Sequence, residues 1–260
     1  MSVFAPLFSG SSGNATFIGG DGGGILIDAG VSAKALTAAL DNCGGADRVA
    51  AVFITHEHID HIKGLRVFAS RRRIPVFASA ETAAALMQDD KAAQSVDIIP
   101  FDMSVDIADM HIERFATSHD CVGSSGYTVT LPNGKRVAVC TDLGVVTDEV
   151  RSVLCGCDLV MLESNHDVRM LQNGAYPYSL KQRILSDKGH LSNSCCADTL
   201  CELIHSGTTR FVLAHLSRDN NRPILAHHAA VEALSLAGAA EHVDYILSVN
   251  SPCGNNIEVL

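Results

Sequence analysis

The chain has no tryptophan and only four tyrosines in 260 residues. A protein that grips single strands by stacking many bases on aromatic rings is therefore not expected. Tyr176 and Tyr178, near a basic stretch, are the obvious stacking candidates. Positive charge is also scarce, with 19 Lys and Arg against 29 Asp and Glu and a formal charge of −10. A general nucleic-acid coat protein, which would be basic overall, is excluded. A nuclease is not, because bound divalent cations and a local basic rim offset acidic side chains. No apolar run approaches membrane-spanning length, so no membrane contact is expected. Nine cysteines, at 43, 121, 140, 155, 157, 195, 196, 201 and 253, include no C-x-x-C pair, which excludes a zinc ribbon. The start, Met1-Ser2-Val3-Phe4-Ala5-Pro6, lacks the charge and apolar stretch of a leader. Reduced thiols in a cytoplasmic protein are the expectation.

Apolar side chains are plentiful, at 47% of the chain against 18% charged, enough for a sizeable core. One domain over residues 1–260 is expected, and the apolar content leaves room for a homodimer. Short β-like runs alternate with helical patterns in both halves. Strands are expected at 3–8, 15–18, 25–30, 49–54, 75–79, 96–100, 104–108, 111–117, 127–131, 136–141, 158–162, 210–214 and 244–249. Helices are expected from Ser32 to about Asn42, then at 62–73, 81–87, 147–154, 178–187, 194–204 and 223–236. The glycines at 19–24 read as a hairpin turn, since no Lys-Ser/Thr and no helix follow as a phosphate loop requires. Composition and order alone give α/β or α+β.

One stretch organises the rest. Thr55-His56-Glu57-His58-Ile59-Asp60-His61 follows the apolar run Val49-Ala50-Ala51-Val52-Phe53-Ile54. Metal ligands at the mouth of a buried strand sit on a rigid support. His56 and His58, two apart, can aim at one ion, while Asp60 and His61 turn toward a second beside it. Asp28, His119, Asp142 and His215 each end or follow another β-like run.

The H-x-H-x-D-H pattern resembles the signature of the metallo-β-lactamase superfamily, which implies a four-layer αββα sandwich. Carried over residue by residue, the resemblance assigns His56, His58 and His119 to one ion. It gives Asp60, His61 and His215 to the other, with Asp142 bridging and Asp28 supporting a ligand or the motif loop. The nitrogen and oxygen donors suit Zn, Mn or Fe. Two such ions suit phosphodiester hydrolysis by a bridging hydroxide, with Asp60 placed to orient it. Gly189-His190-Leu191-Ser192-Asn193 resembles the Gly-His-Ser-Thr motif of the tRNA 3′-processing branch, which makes His190 the candidate acid and Glu163 its partner. His166 is a further candidate near the substrate. With Leu7-Phe8-Ser9-Gly10-Ser11-Ser12-Gly13-Asn14, Glu163-Ser164-Asn165-His166-Asp167 and His215-Leu216-Ser217, these motifs resemble the YycJ/WalJ-type bacterial metallohydrolases over nearly the whole chain. That resemblance implies a 5′-to-3′ exonuclease acting on DNA, in DNA repair. Ile59 departs from the small polar residue of many relatives. Neither the inserted cap of the RNA-processing branch nor the exosite arm of the tRNA-processing enzymes is evident.

Ser11, Asn14, Ser192 and Asn193 are candidates to bind phosphate or support ligands, and are equally good turn formers. Lys63, Arg66, Arg71, Arg72, Arg73, Lys181, Arg183 and Lys188 are either a positive rim for nucleic acid or solvated helix faces. The acidic total favours another hypothesis, a small-molecule phosphodiesterase, thioesterase or lactonase on the same fold. A scaffold that has lost its chemistry is disfavoured by the intact ligand pattern.

Overall fold

The computed structural model describes residues 2–88, 94–250 and 257–260, so Cys253 lies outside it. The first half contributes β1 (Val3–Phe8), β2 (Ala15–Gly20), β3 (Gly23–Ile27), α1 (Ala33–Asn42), β4 (Val49–Phe53), α2 (Ile59–Ile62), α3 (Leu65–Arg72), β5 (Val76–Ala78), α4 (Ala80–Met87) and β6 (Ile98–Pro100). The second contributes β7 (Ser104–Ile107), β8 (Met110–Ala116), β9 (Ser125–Thr130), β10 (Arg136–Cys140), α5 (Asp148–Leu154), β11 (Leu159–Glu163), α6 (Val168–Asn173), α7 (Tyr178–Ile184), α8 (Asn193–His205), β12 (Arg210–Ala214), α9 (Pro223–Leu236) and β13 (Ile246–Val249). A final strand, β14 (Glu258–Val259), returns to the edge of the first sheet.

Among the described residues the strands form two seven-stranded sheets, ordered β14-β1-β2-β3-β4-β5-β6 and β13-β12-β11-β10-β9-β8-β7. Side chains alternate between the two faces of a strand. Ile25, Ile27, Ala51 and Phe53 of the first sheet meet Tyr127, Val129, Val137 and Val139 of the second in a central core. The intervening Leu26 and Val52 point outward under α1, α3 and α4. Ala138 and Cys140 likewise point outward under α5, α8 and α9. Both faces of the inner strands are covered, so these strands are apolar throughout rather than alternating. The result is the expected four-layer αββα sandwich. Phe53, Phe77, Phe101 and Tyr127 pack ring on ring between the sheets, with centroids 5.1–6.3 Å apart. The Tyr127 hydroxyl donates to the Ile54 carbonyl at 2.6 Å, joining the second sheet to the strand that carries the histidine motif.

Three elements differ most from expectation. The helix expected over 62–73 is broken at Lys63–Gly64 into α2 and α3. A Cβ on Gly64 would lie 2.0 Å from the Val31 carbonyl oxygen, so the chain approaches the β3–α1 loop there too closely for any larger residue. Helix α6 was not expected. Asp167 caps it by accepting from the Met170 N–H at 2.8 Å, a signal hidden inside the acidic motif. Strand β14 was not expected either, since two residues carry too little pattern to register.

Candidate metal centre

The cluster forms where strands stop. Asp28 follows β3, His56 follows β4, Asp142 follows β10 and His215 follows β12. Asp28, Asp142 and His215 all have left-handed backbone, with φ of 62°, 59° and 55°. Such conformations are uncommon outside glycine and persist only where neighbours hold them. At His215 the backbone N–H donates to Ser9 Oγ at 2.7 Å and the carbonyl accepts from Asn165 Nδ2 at 2.8 Å.

Among the described residues four overlapping groups of donor atoms result: His56, His58 and His119; His56, His61 and Asp142; Asp60, His61 and His215; and Asp142, Glu163, His190 and His215. Within each, the donor atoms lie within 4.8 Å of one another. Hydrogen bonds set which ring nitrogen faces inward. His61 Nδ1 donates to Asp28 Oδ2 at 2.8 Å, and His119 Nδ1 donates to the Gly189 carbonyl at 3.0 Å. His215 Nδ1 donates to Glu163 Oε1 at 2.9 Å. Each therefore points its Nε2 into the cluster. Thr55 completes the bracing: its N–H and hydroxyl both donate to Asp28.

These residues fit a cation. His56 Nε2, His215 Nε2 and Asp142 Oδ2 are buried without a hydrogen-bond partner among the described residues. Leaving such groups unsatisfied costs about 1–3 kcal/mol each. His61 Nε2 lies 3.4 Å from Asp142 Oδ2 and 3.7 Å from Asp60 Oδ2, an arrangement that calls for positive charge between them. Burial and the neighbouring imidazoles hold His56 well below its ordinary pKa, and burial lowers His119 too. Burial opposes charge at His61 as well, but Asp28 and Asp142 override it and raise the imidazole to about 9. At His215 the surrounding Asp142, Asp60 and Glu163 outweigh burial in the same sense. Asp60 stays well below the usual carboxylate range because His215 and His61 outweigh its burial. The mixed nitrogen and oxygen set, with no thiolate, matches a borderline or hard divalent ion.

Residues 24–216 match the family described as "Beta-lactamase superfamily domain". Exodeoxyribonuclease YycJ of Bacillus anthracis is 38% identical over 244 residues, covering 90% of each chain. The chain belongs to the metallo-β-lactamase superfamily, in its YycJ/WalJ group. Exodeoxyribonuclease WalJ of Streptococcus pneumoniae is 35% identical over 255 residues, covering 96% of this chain and 94% of that one. Among solved structures, the metallo-β-lactamase-fold protein YhfI of Bacillus subtilis superposes with a TM-score of 0.72 at 16% identity, over 99% of this chain and 98% of that chain.

In this YycJ/WalJ-type chain the other candidates fall into two sets. His190 lies on the open wall, its side chain 23% exposed, in a cavity also lined by Ser11, Tyr176, Arg183 and Ser217. Its Nδ1 donates to Glu163 Oε1 at 2.7 Å. Burial works against charge on His190, but Glu163 prevails and raises it. Glu163 is fully buried, and its Oε2 accepts the N–H groups of Leu143 and Leu191 at 3.0 and 3.1 Å. The remaining candidates face inward. His166 is 1% exposed, and burial lowers it to about 4. Asn14 accepts from Gly10 N–H and places its amide nitrogen 3.0 Å from His61 Nε2. Ser192 caps α8 by accepting from Cys195 N–H. Asn193 exchanges two amide hydrogen bonds with Asn221, at 2.8 and 2.9 Å, and accepts from Ser164. Sequence reasoning assigned no role to Ser9, Thr55 and Asn221. Ser9 and Thr55 lie just past strand ends and Asn221 just before α9, and each has a partner distant in sequence.

Proposed function

We propose that this metallo-β-lactamase-fold hydrolase is a two-metal phosphodiesterase acting as a 5′-to-3′ DNA exonuclease. The observation that carries the proposal is the shared carboxylate Glu163. One oxygen, Oε1, accepts from both His190 and His215, so a cluster histidine and a cleft-wall histidine are set by one group. The exodeoxyribonuclease names of relatives aligned over nine-tenths of the chain supply DNA as substrate. Buried thiols such as Cys140 and Cys196 suit the reducing cytoplasm.

In this reading His56, His58 and His119 would hold one divalent ion, and Asp60, His61 and His215 a second, with Asp142 between them. Two Zn, Mn or Fe ions held there would activate water for attack and neutralise the phosphoryl oxygens. The Asp60 carboxylate, 21% exposed, is placed to orient the attacking water by accepting its hydrogen bond. With Nδ1 committed to Glu163, His190 delivers a proton from Nε2 to the departing oxygen. Buried His166 is left out of that proton path.

The test is a paired assay of Mn-loaded and Zn-loaded protein on 5′-phosphorylated duplex DNA and a small chromogenic phosphodiester. Nucleotide release from the 5′ end, lost in Asp60→Asn and strongly reduced in His190→Ala, is the expected result. Turnover of the small ester with DNA left intact would replace this reading with a small-molecule hydrolase, which the charge of −10 favours.

A further inference from the structure

Basic residues are unevenly placed in this acidic chain. Residues 63–73 hold five of the 19 Lys and Arg, and 62–80 contain no Asp or Glu. They start two residues after His61 and continue along α3. Lys63, Arg66, Arg71 and Arg73 are exposed, and among the described residues none has a side-chain hydrogen bond or ion pair. Lys34, on α1, is in the same condition and faces Arg71 across a groove of about 420 Å³ that also holds Asp41. Arg72 differs. Its guanidinium lies over the Phe68 ring and binds the Ala46 carbonyl and Asp47, so it is a packing residue.

The other candidate rim is engaged internally. Arg183 on α7 is ion-paired with Asp120, and Lys181 Nζ donates to the Gln172 carbonyl at 2.8 Å. Of that set only Lys188 is without a side-chain partner among the described residues. Elsewhere Arg136, Arg151 and Arg210 pair with Glu113, Glu202 and Glu258. Unpaired cations on an acidic protein repel one another and gain little from the fold, so their grouping calls for an anionic partner. The commonplace account is that cations at the end of α3 favour its dipole, worth about 0.3–1 kcal/mol each. It covers Arg71 and the C-cap residue Arg73, but neither Lys63 and Arg66, at the start of α3, nor Lys34 on another helix.

We propose that the α3 face, formed by Lys63, Arg66, Arg71 and Arg73 with Lys34 of α1, is the track for the phosphate backbone of duplex DNA leading to the metal centre. This rests on the exonuclease reading above. The eight residues of α3 span about 12 Å. At about 3.4 Å of axial rise per nucleotide of each strand, that matches three to four base pairs. The surface grips the duplex behind the end being degraded, while the α7 side stays a structural wall of the cleft.

The test compares Arg66→Ala/Arg71→Ala/Arg73→Ala with Lys181→Ala/Lys188→Ala in metal-loaded enzyme. The readouts are KM and kcat on duplex DNA, the dependence of duplex affinity on salt, and turnover of a small phosphodiester. Each lost phosphate contact lowers the slope of log affinity against log salt by about 0.9. The triple variant is expected to lose two to three such contacts and to raise KM about tenfold or more at moderate salt. Its kcat, thermal midpoint and small-ester turnover should stay near wild type, and the α7 variant should keep its duplex KM. An unchanged KM and salt slope in the triple variant of an enzyme that does cut duplex would overturn the track alone. So would a loss of duplex affinity in the α7 variant instead. Wild type that turns over the small ester yet neither binds nor cuts duplex would overturn the exonuclease reading itself, and the track with it.

Discussion

The two sheets are built on the same plan. Each begins with three antiparallel pairings and continues with three parallel ones, and the strand at the change is β3 in one and β10 in the other. Just past each of these strands stands an aspartate with left-handed backbone, Asp28 and Asp142. Their work differs. Asp28 braces the centre from outside, accepting from Thr55 and from His61 Nδ1. Asp142 sits among the donor atoms, 3.4 Å from His61 Nε2. In the second half the bracing task has moved one strand over, to Glu163, which holds two histidines where Asp28 holds one. A repeated backbone position thus supplies the place for a carboxylate, and its neighbours decide whether that carboxylate braces a histidine or stands among the donor atoms.

The sharpest way to break this comparison is to neutralise the two braces separately. Glu163→Gln should lower kcat on duplex DNA about 100-fold or more, because His190 loses the group that orients it. Asp28→Asn should weaken cation affinity about 10–100-fold while leaving kcat near wild type once metal is saturating. Metal titrations followed by initial rates separate the two. An equal loss of kcat at saturating metal in both variants would mean that the braces are equivalent and the asymmetry has no functional content.

A smaller effect is expected from Gly64→Ala, which forces α2 and α3 away from Val31. Overpacking of this kind costs about 1–3 kcal/mol, to be read as a lowered denaturant midpoint. Because the shift starts beside Asp60 and His61, cation affinity should fall with it.

Smallest is Tyr127→Phe, which removes the link between the sheets and should cost about 1 kcal/mol. It also carries a pH signature. Burial raises the Tyr127 phenol above its ordinary value. Below about pH 10 the group is neutral in folded and unfolded chains alike, and its contribution is constant. Above that, the unfolded chain ionises first and stability falls as pH rises. Chemical denaturation between pH 8 and 11 should show a shallower alkaline decline in Tyr127→Phe.

Much of this was legible in the sequence because it is local. Strands apolar on both faces announce themselves as continuous runs such as 49–54, and the spacing of His56, His58, Asp60 and His61 places four donors in one turn of chain. What was hidden depends on contacts remote in sequence. Helical periodicity around Gly64 says nothing of a carbonyl at Val31. Ser9 cannot be recognised as the acceptor for His215 N–H without the fold that brings them together. At Asn193 the residue type allowed either phosphate binding or bracing. In the structure its amide oxygen accepts from Asn221 and Ser164 and its nitrogen donates to Asn221.

Strand β14 has a consequence in time. Phe4 in β1 pairs with Glu258, so the second strand of the first sheet waits for residues some 250 positions later. At roughly 5–20 residues per second of synthesis, that edge stays open for about 13–50 s on the ribosome. An unpaired strand edge is a template for wrong partners. Until Glu258 and Val259 have been made, the β1 edge of the newborn chain is open to misassociation.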